Sequence, residues 1–208
     1  MADDTPRTST ARGGAPSSLR DRTRQAMQAE VSVVAFRLFA EQGFENTTVD
    51  QIAAEAGLSR TTFFRYFGTK EDVVLGNLAE LGREISAALA ARPADERVWD
   101  SLRGAFDAVN QINTETPEQA LRFVQMLHQT PSLRARHWEK TRDWQNLLVP
   151  EVSRRLGTET PTPQDPRASA LVGSALACLD AATDAWTACD GTTPLSVLLD
   201  RAMSALTQ

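Results

Sequence analysis

The 208-residue chain predicts an all-α fold, and three observations carry that expectation. Apolar residues recur at three- and four-residue steps, as in Met27, Val31, Val34, Ala35, Leu38 and Phe39. No alternating β-branched run bounded by turn residues occurs. Capping residues and Gly/Pro breaks cut the chain into helix-length pieces.

Taken in order, residues 1–18 (MADDTPRTSTARGGAPSS) are a polar arm without the apolar surface to offset ordering entropy, and are expected to be disordered. A first helix runs from about Leu19 to Gln42 and ends at Gly43. Thr48-Val-Asp-Gln51 reads as a capping box that opens a second, short helix ending at Gly57. Ser59 can cap a third, to Phe67. Thr69, with Asp72 three positions on, caps a fourth that stops before Pro93. Five more follow at about 95–113, 117–129, 132–156, 165–189 and 193–206, for about nine in all. Residues 19–68 thus form a three-helix, helix-turn-helix unit, and 69–208 a larger helical part.

Composition narrows the function classes. No apolar run is long enough to span a membrane and no hydrophobic leader opens the chain, so a soluble, cytoplasmic protein is expected. Net charge is −5, unevenly spread. Residues 1–70 carry nine Lys/Arg against eight Asp/Glu, whereas the rest carries thirteen against nineteen. A polyanion partner is therefore sought at the N-terminal end. Cys178 and Cys189 lack His or Cys neighbours and read as small apolar residues, with no disulfide or metal. Neither a phosphate-binding glycine loop, a zinc motif nor a nucleophile elbow is present, so no enzyme and no cofactor are expected.

The segment LSRTTFFRYFGTKED concentrates aromatics around Arg65. On a wheel of about 100° per residue, Phe63 and Phe67 point to the core. Thr61, Arg65, Thr62 and Tyr66 lie on the opposite arc, with Arg60 and Phe64 at its edge. Arginine can pair bidentately with guanine in the major groove, and Thr methyls or a ring can meet thymine methyls. Hydroxyls and Lys70 suit phosphates. A plain amphipathic helix would explain Phe63 and Phe67, but not an arc of donors with no acid between Ser59 and Lys70.

Residues 23–78, and GFENTTVDQIAAEAGLSRTTFFRYFGTKED above all, resemble the DNA-binding domain of the tetracycline-repressor (TetR) family. The resemblance implies an all-helical homodimer on a roughly palindromic double-stranded DNA operator. It further implies a phosphate contact from Thr48, base contacts from Arg60, Thr61 and Arg65, and phosphate contacts from Thr62, Tyr66 and Lys70. Phe64 stands where many members carry Tyr, so only its ring contact carries over. Arg7 and Arg12 read as part of a solvated tail, while Arg20, Arg22 and Arg24 lie close enough to the duplex to add electrostatic attraction.

The larger part must dimerise and, by the same resemblance, sense a small molecule. Leu171, Ala175, Cys178, Leu179, Ala182 and Trp186 form one stripe, and Leu195, Leu198, Leu199, Ala202, Met203 and Leu206 a second. Paired with a second copy they would make a four-helix bundle, although each stripe also suits its own protomer. Trp99, Phe106, Phe123, Met126, Leu127, Trp138 and Trp144, with His128 and His137, can line an apolar cavity with a few polar anchors. Singly, each is more commonly a core residue. The segment TPSLRARHWEKTRDWQNLLVPEVSRRLG is similar to the mycofactocin-regulator-like branch, which implies an acyl-CoA-like effector. Arg122, Arg134, Arg136 or Arg142 would then meet the CoA phosphates, or else form a solvated helix face. An architectural DNA-binding protein with no effector is the alternative.

Overall fold

A computed structural model describes residues 19–115, 117–157 and 165–207. The arm expected over 1–18, with Arg7 and Arg12, lies outside them, as does most of the break between the two longest C-terminal helices. Every regular element among the described residues is helical: α1 (Leu19–Gln42), α2 (Val49–Glu55), α3 (Arg60–Tyr66), α4 (Lys70–Ala91), α5 (Val98–Ala105), α6 (Asp107–Glu115), α7 (Pro117–Gln129), α8 (Pro131–Arg155), α9 (Arg167–Ala188) and α10 (Leu195–Ser204). None of them is long and apolar enough to cross a membrane.

The one helix expected over 95–113 is two, α5 and α6. The break falls at Phe106, whose N–H is shared at 3.3 Å between the carbonyls of Leu102 and Arg103. Gly104, a poor helix former, sits two residues before it, and the fully buried Phe106 ring anchors the bend.

The N-terminal core is small and aromatic. Val31, Ala35 and Phe39 of α1, Phe44, Ile52 and Ala53 of α2, and Phe63 and Phe67 are all buried. Phe39 tilts onto Phe44 at 4.9 Å and Phe63 onto Phe67 at 5.1 Å, a favourable spacing for ring pairs. Turns are set by residues that tolerate positive φ. At Gly57 (φ 67°) the next N–H, that of Leu58, reaches back to the Ala53 carbonyl at 2.8 Å, which ends α2 and aims α3.

α4 joins this unit to the rest, and packs along α8. Val73, Val74 and Leu75 sit at its N-terminal end. Leu78, Leu81, Ile85 and Leu89 follow it into the second core, where Leu102, Leu133, Leu148, Val152 and Val172 are fully buried. The α4–α8 seam is tied at three levels. Arg136 approaches Asp72 at 3.6 Å. Mid-seam, the Trp144 indole N–H donates to the Leu78 carbonyl at 2.7 Å, and its ring lies so close to Gly82 that a Cβ there would fall 2.4 Å from it. At the far end Arg155, with a side chain only 2% exposed, spends all five of its N–H donors. They reach the carbonyls of Leu89 (2.8 Å), Arg92 (2.8 Å) and Pro93 (2.9 Å), the Ser101 hydroxyl (3.1 Å) and Glu151 (2.9 Å). Arg155 therefore caps the C-terminus of α4, where orphan carbonyls otherwise need water. Beside it, Arg92 and the Ser101 hydroxyl hold the Glu96 carboxyl down to about 2.

α9 and α10 form a hairpin that covers the remaining face. Ala175, Cys178, Leu179 and Ala182 of α9, with Leu195, Leu199 and Met203 of α10, are buried inside the protomer. Side chains spent on their own core offer little surface to a second copy, so a dimer seam here would draw mainly on their neighbours. Of the expected stripes, Leu171, Leu198 and Ala202 keep part of their surface and Leu206 is exposed, while Val197, outside them, adds exposed apolar surface.

Candidate nucleic-acid interface and effector region

Local chemistry builds the α2–turn–α3 unit. The Thr48 hydroxyl accepts from the Gln51 N–H at 3.2 Å, and Gln51 Oε1 accepts from the Thr48 N–H at 2.8 Å, which completes the expected capping box. The Ser59 hydroxyl accepts from the Thr62 N–H at 3.1 Å and sits 2.9 Å from the Thr62 hydroxyl. Both caps leave the helix N-termini on the surface, where a phosphate could meet them.

The outward arc of α3 is as the wheel places it. Arg60, Thr61, Phe64 and Arg65 are exposed, Thr62 and Tyr66 partly so, and Phe63 and Phe67 anchor the opposite side. Two guanidiniums lie over two rings: Arg60 over Phe64 at 5.6 Å, and Arg65 over Tyr66 at 5.2 Å. Phe64, at 45% exposure, meets Phe63 edge-on at 5.7 Å, so its ring is fixed from behind. Stacking of this kind narrows the rotamers of a long side chain before any partner arrives. Arg60 is further held by Asp50 of α2 at 3.1 Å. The sequence shows no acid within α3, but the turn brings one in from the preceding helix.

Lys70 departs from expectation. Its ammonium donates to the carbonyls of Phe44 (2.8 Å), Thr47 (3.1 Å) and Glu45 (3.3 Å), and lies 4.4 Å from the centre of the Phe44 ring. An ammonium has three donors, and all three point into the α1–α2 loop. Here Lys70 is a strut between α4 and that loop, in place of the phosphate ligand expected of it.

The expected effector residues do not converge on one cavity. Phe106 is buried at the α5–α6 bend, and Leu127 of α7 is buried as well. The Trp99 indole N–H donates to the Met203 carbonyl at 3.3 Å, tying α5 to α10. Trp144 belongs to the α4–α8 seam. Trp138 is 62% exposed, which removes it from any cavity lining. Phe123 is partly buried on α7. His128 lies at the α7 end with its Nε2 2.9 Å from Asp184 of α9. A recess of about 380 Å³ opens between α4 and α8, lined by Ala79, Arg83, Lys140, Asp143, Trp144, Asn146 and Leu147, of which only Trp144 was expected. The arginines read as CoA ligands are largely engaged on the surface, Arg122 with Glu118, and Arg136 with Glu139 and Asp72. Sequence reasoning missed Arg155, because nothing local distinguishes it from other charges on helices.

Comparison with known proteins agrees with this arrangement. The family model "Bacterial regulatory proteins, tetR family" matches residues 33–76, and "MftR C-terminal domain" matches residues 96–208. The chain is 32% identical over 162 residues to the HTH-type transcriptional regulator TcmR of Streptomyces glaucescens, covering 75% of this chain and 71% of TcmR. It is 30% identical over 139 residues to MftR of Mycobacterium tuberculosis, covering 67% of this chain and 70% of that one. Among solved structures, FadR of Thermus thermophilus, a TetR-family repressor in complex with lauroyl-CoA, superposes with a TM-score of 0.57 at 22% identity, over 86% of this chain and 93% of its own. By these matches and by its capped, arginine-bearing α3, the chain belongs to the TetR family of bacterial transcriptional regulators, with a C-terminal domain of the MftR type.

Proposed function

We propose that this regulator is a repressor that binds a short, roughly palindromic operator as a homodimer, reads it with Arg60, Thr61, Phe64 and Arg65, and lets go when a small, largely apolar effector binds. The exposed arc of α3, clamped from behind by Phe63 and Phe67, carries the reading. Arg60 and Arg65 reach base edges, Phe64 packs on thymine methyls, and Thr48, Thr62 and Tyr66 meet phosphates. Selection from randomised duplexes, repeated with Arg65→Ala, tests it: the parent should yield a two-fold symmetric site, and the variant should lose preference at one base of each half. Equal enrichment for both proteins would move base reading elsewhere.

Dimerisation through α9 and α10 uses what the protomer leaves exposed there, Leu198, Ala202 and Val197 with Leu171. An effector releases DNA only if it prefers the protomer geometry that does not fit the operator. The two recognition helices must sit about 34–36 Å apart to meet successive major grooves. Because α4 is tied to α8 at three levels, an effector that shifts α8 carries α4, and with it α3. Long-chain acyl-CoA is the first compound to try, since FadR of Thermus thermophilus holds lauroyl-CoA on the same fold. Titration of lauroyl-CoA into the protein–operator complex that releases no DNA and moves no melting temperature would remove acyl-CoA and leave the DNA reading standing.

A further inference from the structure

The sequence keeps acids out of α3, yet the fold sets one against it. Asp50, in the first turn of α2, lies with its Oδ2 3.1 Å from Nη1 of Arg60, across the α2–α3 turn. The two side chains are 62% and 67% exposed, so the pair stands on the outward face and not in the core. Such a pair adds little to folding. Its effect is on where a guanidinium points. Arg60 is held at a second place, since its Cζ lies 5.6 Å from the centre of the Phe64 ring, and that ring meets the fully buried Phe63 edge-on at 5.7 Å. A carboxylate at one nitrogen and a ring against the plane fix both the reach and the roll of the fork. Arg65 has the second hold alone, over Tyr66. With one N–H of Arg60 given to Asp50, the fork keeps a free pair of donors for a partner. A carboxylate on a face that meets DNA also repels phosphates, whatever the base sequence.

We propose that Asp50 is a specificity-determining residue of the operator interface: it positions the Arg60 guanidinium for bidentate pairing with a guanine and keeps it off the phosphates. The inference rests on the base reading by α3 proposed above and adds what makes one of its contacts selective. An exposed arginine left free beside a duplex has phosphate oxygens within reach, and a contact there carries no sequence information. Guanine presents two acceptors, O6 and N7, on its major-groove edge, and no other base presents two. A fork already turned and stacked loses little further freedom on meeting that edge. The same carboxylate disfavours phosphate nearby, so it weakens binding to every duplex and most of all to those without the guanine. Asp50 thus lowers general affinity and raises discrimination.

Selection from randomised duplexes by the full chain, by Arg60→Ala, by Asp50→Asn and by the double variant tests the proposal, each variant first checked by circular dichroism for retained helix. Arg60→Ala should lose a guanine preference of about tenfold or more in each half-site. Asp50→Asn should cut the preference at that same base to about threefold or less, while the base lost by Arg65→Ala is still selected as in the parent. Asp50→Asn should also bind a duplex without the site more tightly, with a log–log salt slope steeper by about one as Arg60 takes up a phosphate. In the Arg60→Ala background, Asp50→Asn should change no base preference, because Asp50 acts through Arg60. An undiminished guanine preference in Asp50→Asn would make Asp50 only a first-turn acid of α2. A preference that Asp50→Asn alters without Arg60 would make it a base contact in its own right. Either result overturns the positioning role and leaves base reading by Arg60 and Arg65 standing. Arg60→Ala with every preference of the parent intact overturns it as well, and takes Arg60 out of the base reading.

Discussion

Two arginines do opposite things in this molecule. Arg155, at the seam between α4 and α8, has all five donors consumed by its own chain. Arg65, on α3, makes no ion pair among the described residues and is merely laid across Tyr66. The first behaves as a rivet, and its worth is stability. The second is a poised donor, whose worth appears only when a partner fills the groove. Both occur in helices rich in charge, and what separates them is whether the surrounding backbone has already taken their hydrogen bonds. Lys70 shows the same distinction on the DNA-binding side, where a residue expected to meet phosphate is spent on loop carbonyls.

The sharpest way to break the comparison is Arg155→Met. It strands three carbonyls and takes one partner each from the buried Ser101 hydroxyl and from Glu151, which keep Glu96 and Arg154, and should cost about 3–5 kcal/mol of stability in a denaturant titration. Loss below about 1 kcal/mol would mean that water replaces the guanidinium and that the rivet is nominal. Arg65→Ala should do the reverse. Operator affinity should fall by about 1–3 kcal/mol at the cognate base, with folding stability unchanged within about 0.5 kcal/mol, by fluorescence anisotropy and thermal melting. Lys70→Met sits between them. As a strut it should lower stability by about 1–2 kcal/mol and leave the salt dependence of DNA binding as it was. A salt slope smaller by about one with no loss of stability would restore the phosphate role.

The smallest effect sharpens the comparison from the acceptor side. Asp180 is a half-buried carboxylate on α9, one turn before Asp184. Its carboxyl is raised from 3.8 to about 6, so the folded state binds this proton more tightly than the unfolded state does. Ionising it therefore opposes folding: the penalty is absent below about pH 4, grows as pH rises and is complete above about pH 6. Asp180→Asn should raise stability by about 1–2 kcal/mol at pH 8 and by almost nothing at pH 4. Equal gains at both pH values would point to better packing of the amide instead.

What was legible in the sequence was what is local. Thr48, Ser59 and Thr69 each bond a backbone N–H within their own first turn, so the caps could be read from spacing alone. The outward arc of α3 followed from helical period. The Arg155 rivet could not be read, since its backbone partners lie 62 to 66 residues away. Nor could the fate of the α9 and α10 stripes. An apolar stripe looks the same whether it meets its own protomer or another, and most of this one is used at home. Trp138 was misplaced for a related reason: α8 packs on α4, α7 and α9, so its buried face could not be chosen without knowing which neighbours cover it.

Trp144 has a consequence for experiment. Its indole is buried and hydrogen-bonded to a backbone carbonyl of α4, whereas Trp138 on the same helix is in water. The chain thus carries its own optical gauge. Any event that slides α8 along α4 must lengthen the bond to Leu78 and let solvent dipoles near the indole, shifting its emission to longer wavelength. With Trp99, Trp138 and Trp186 each replaced by Phe, emission from this one ring would report, in real time and without a label, when the link between effector and operator is drawn taut or released.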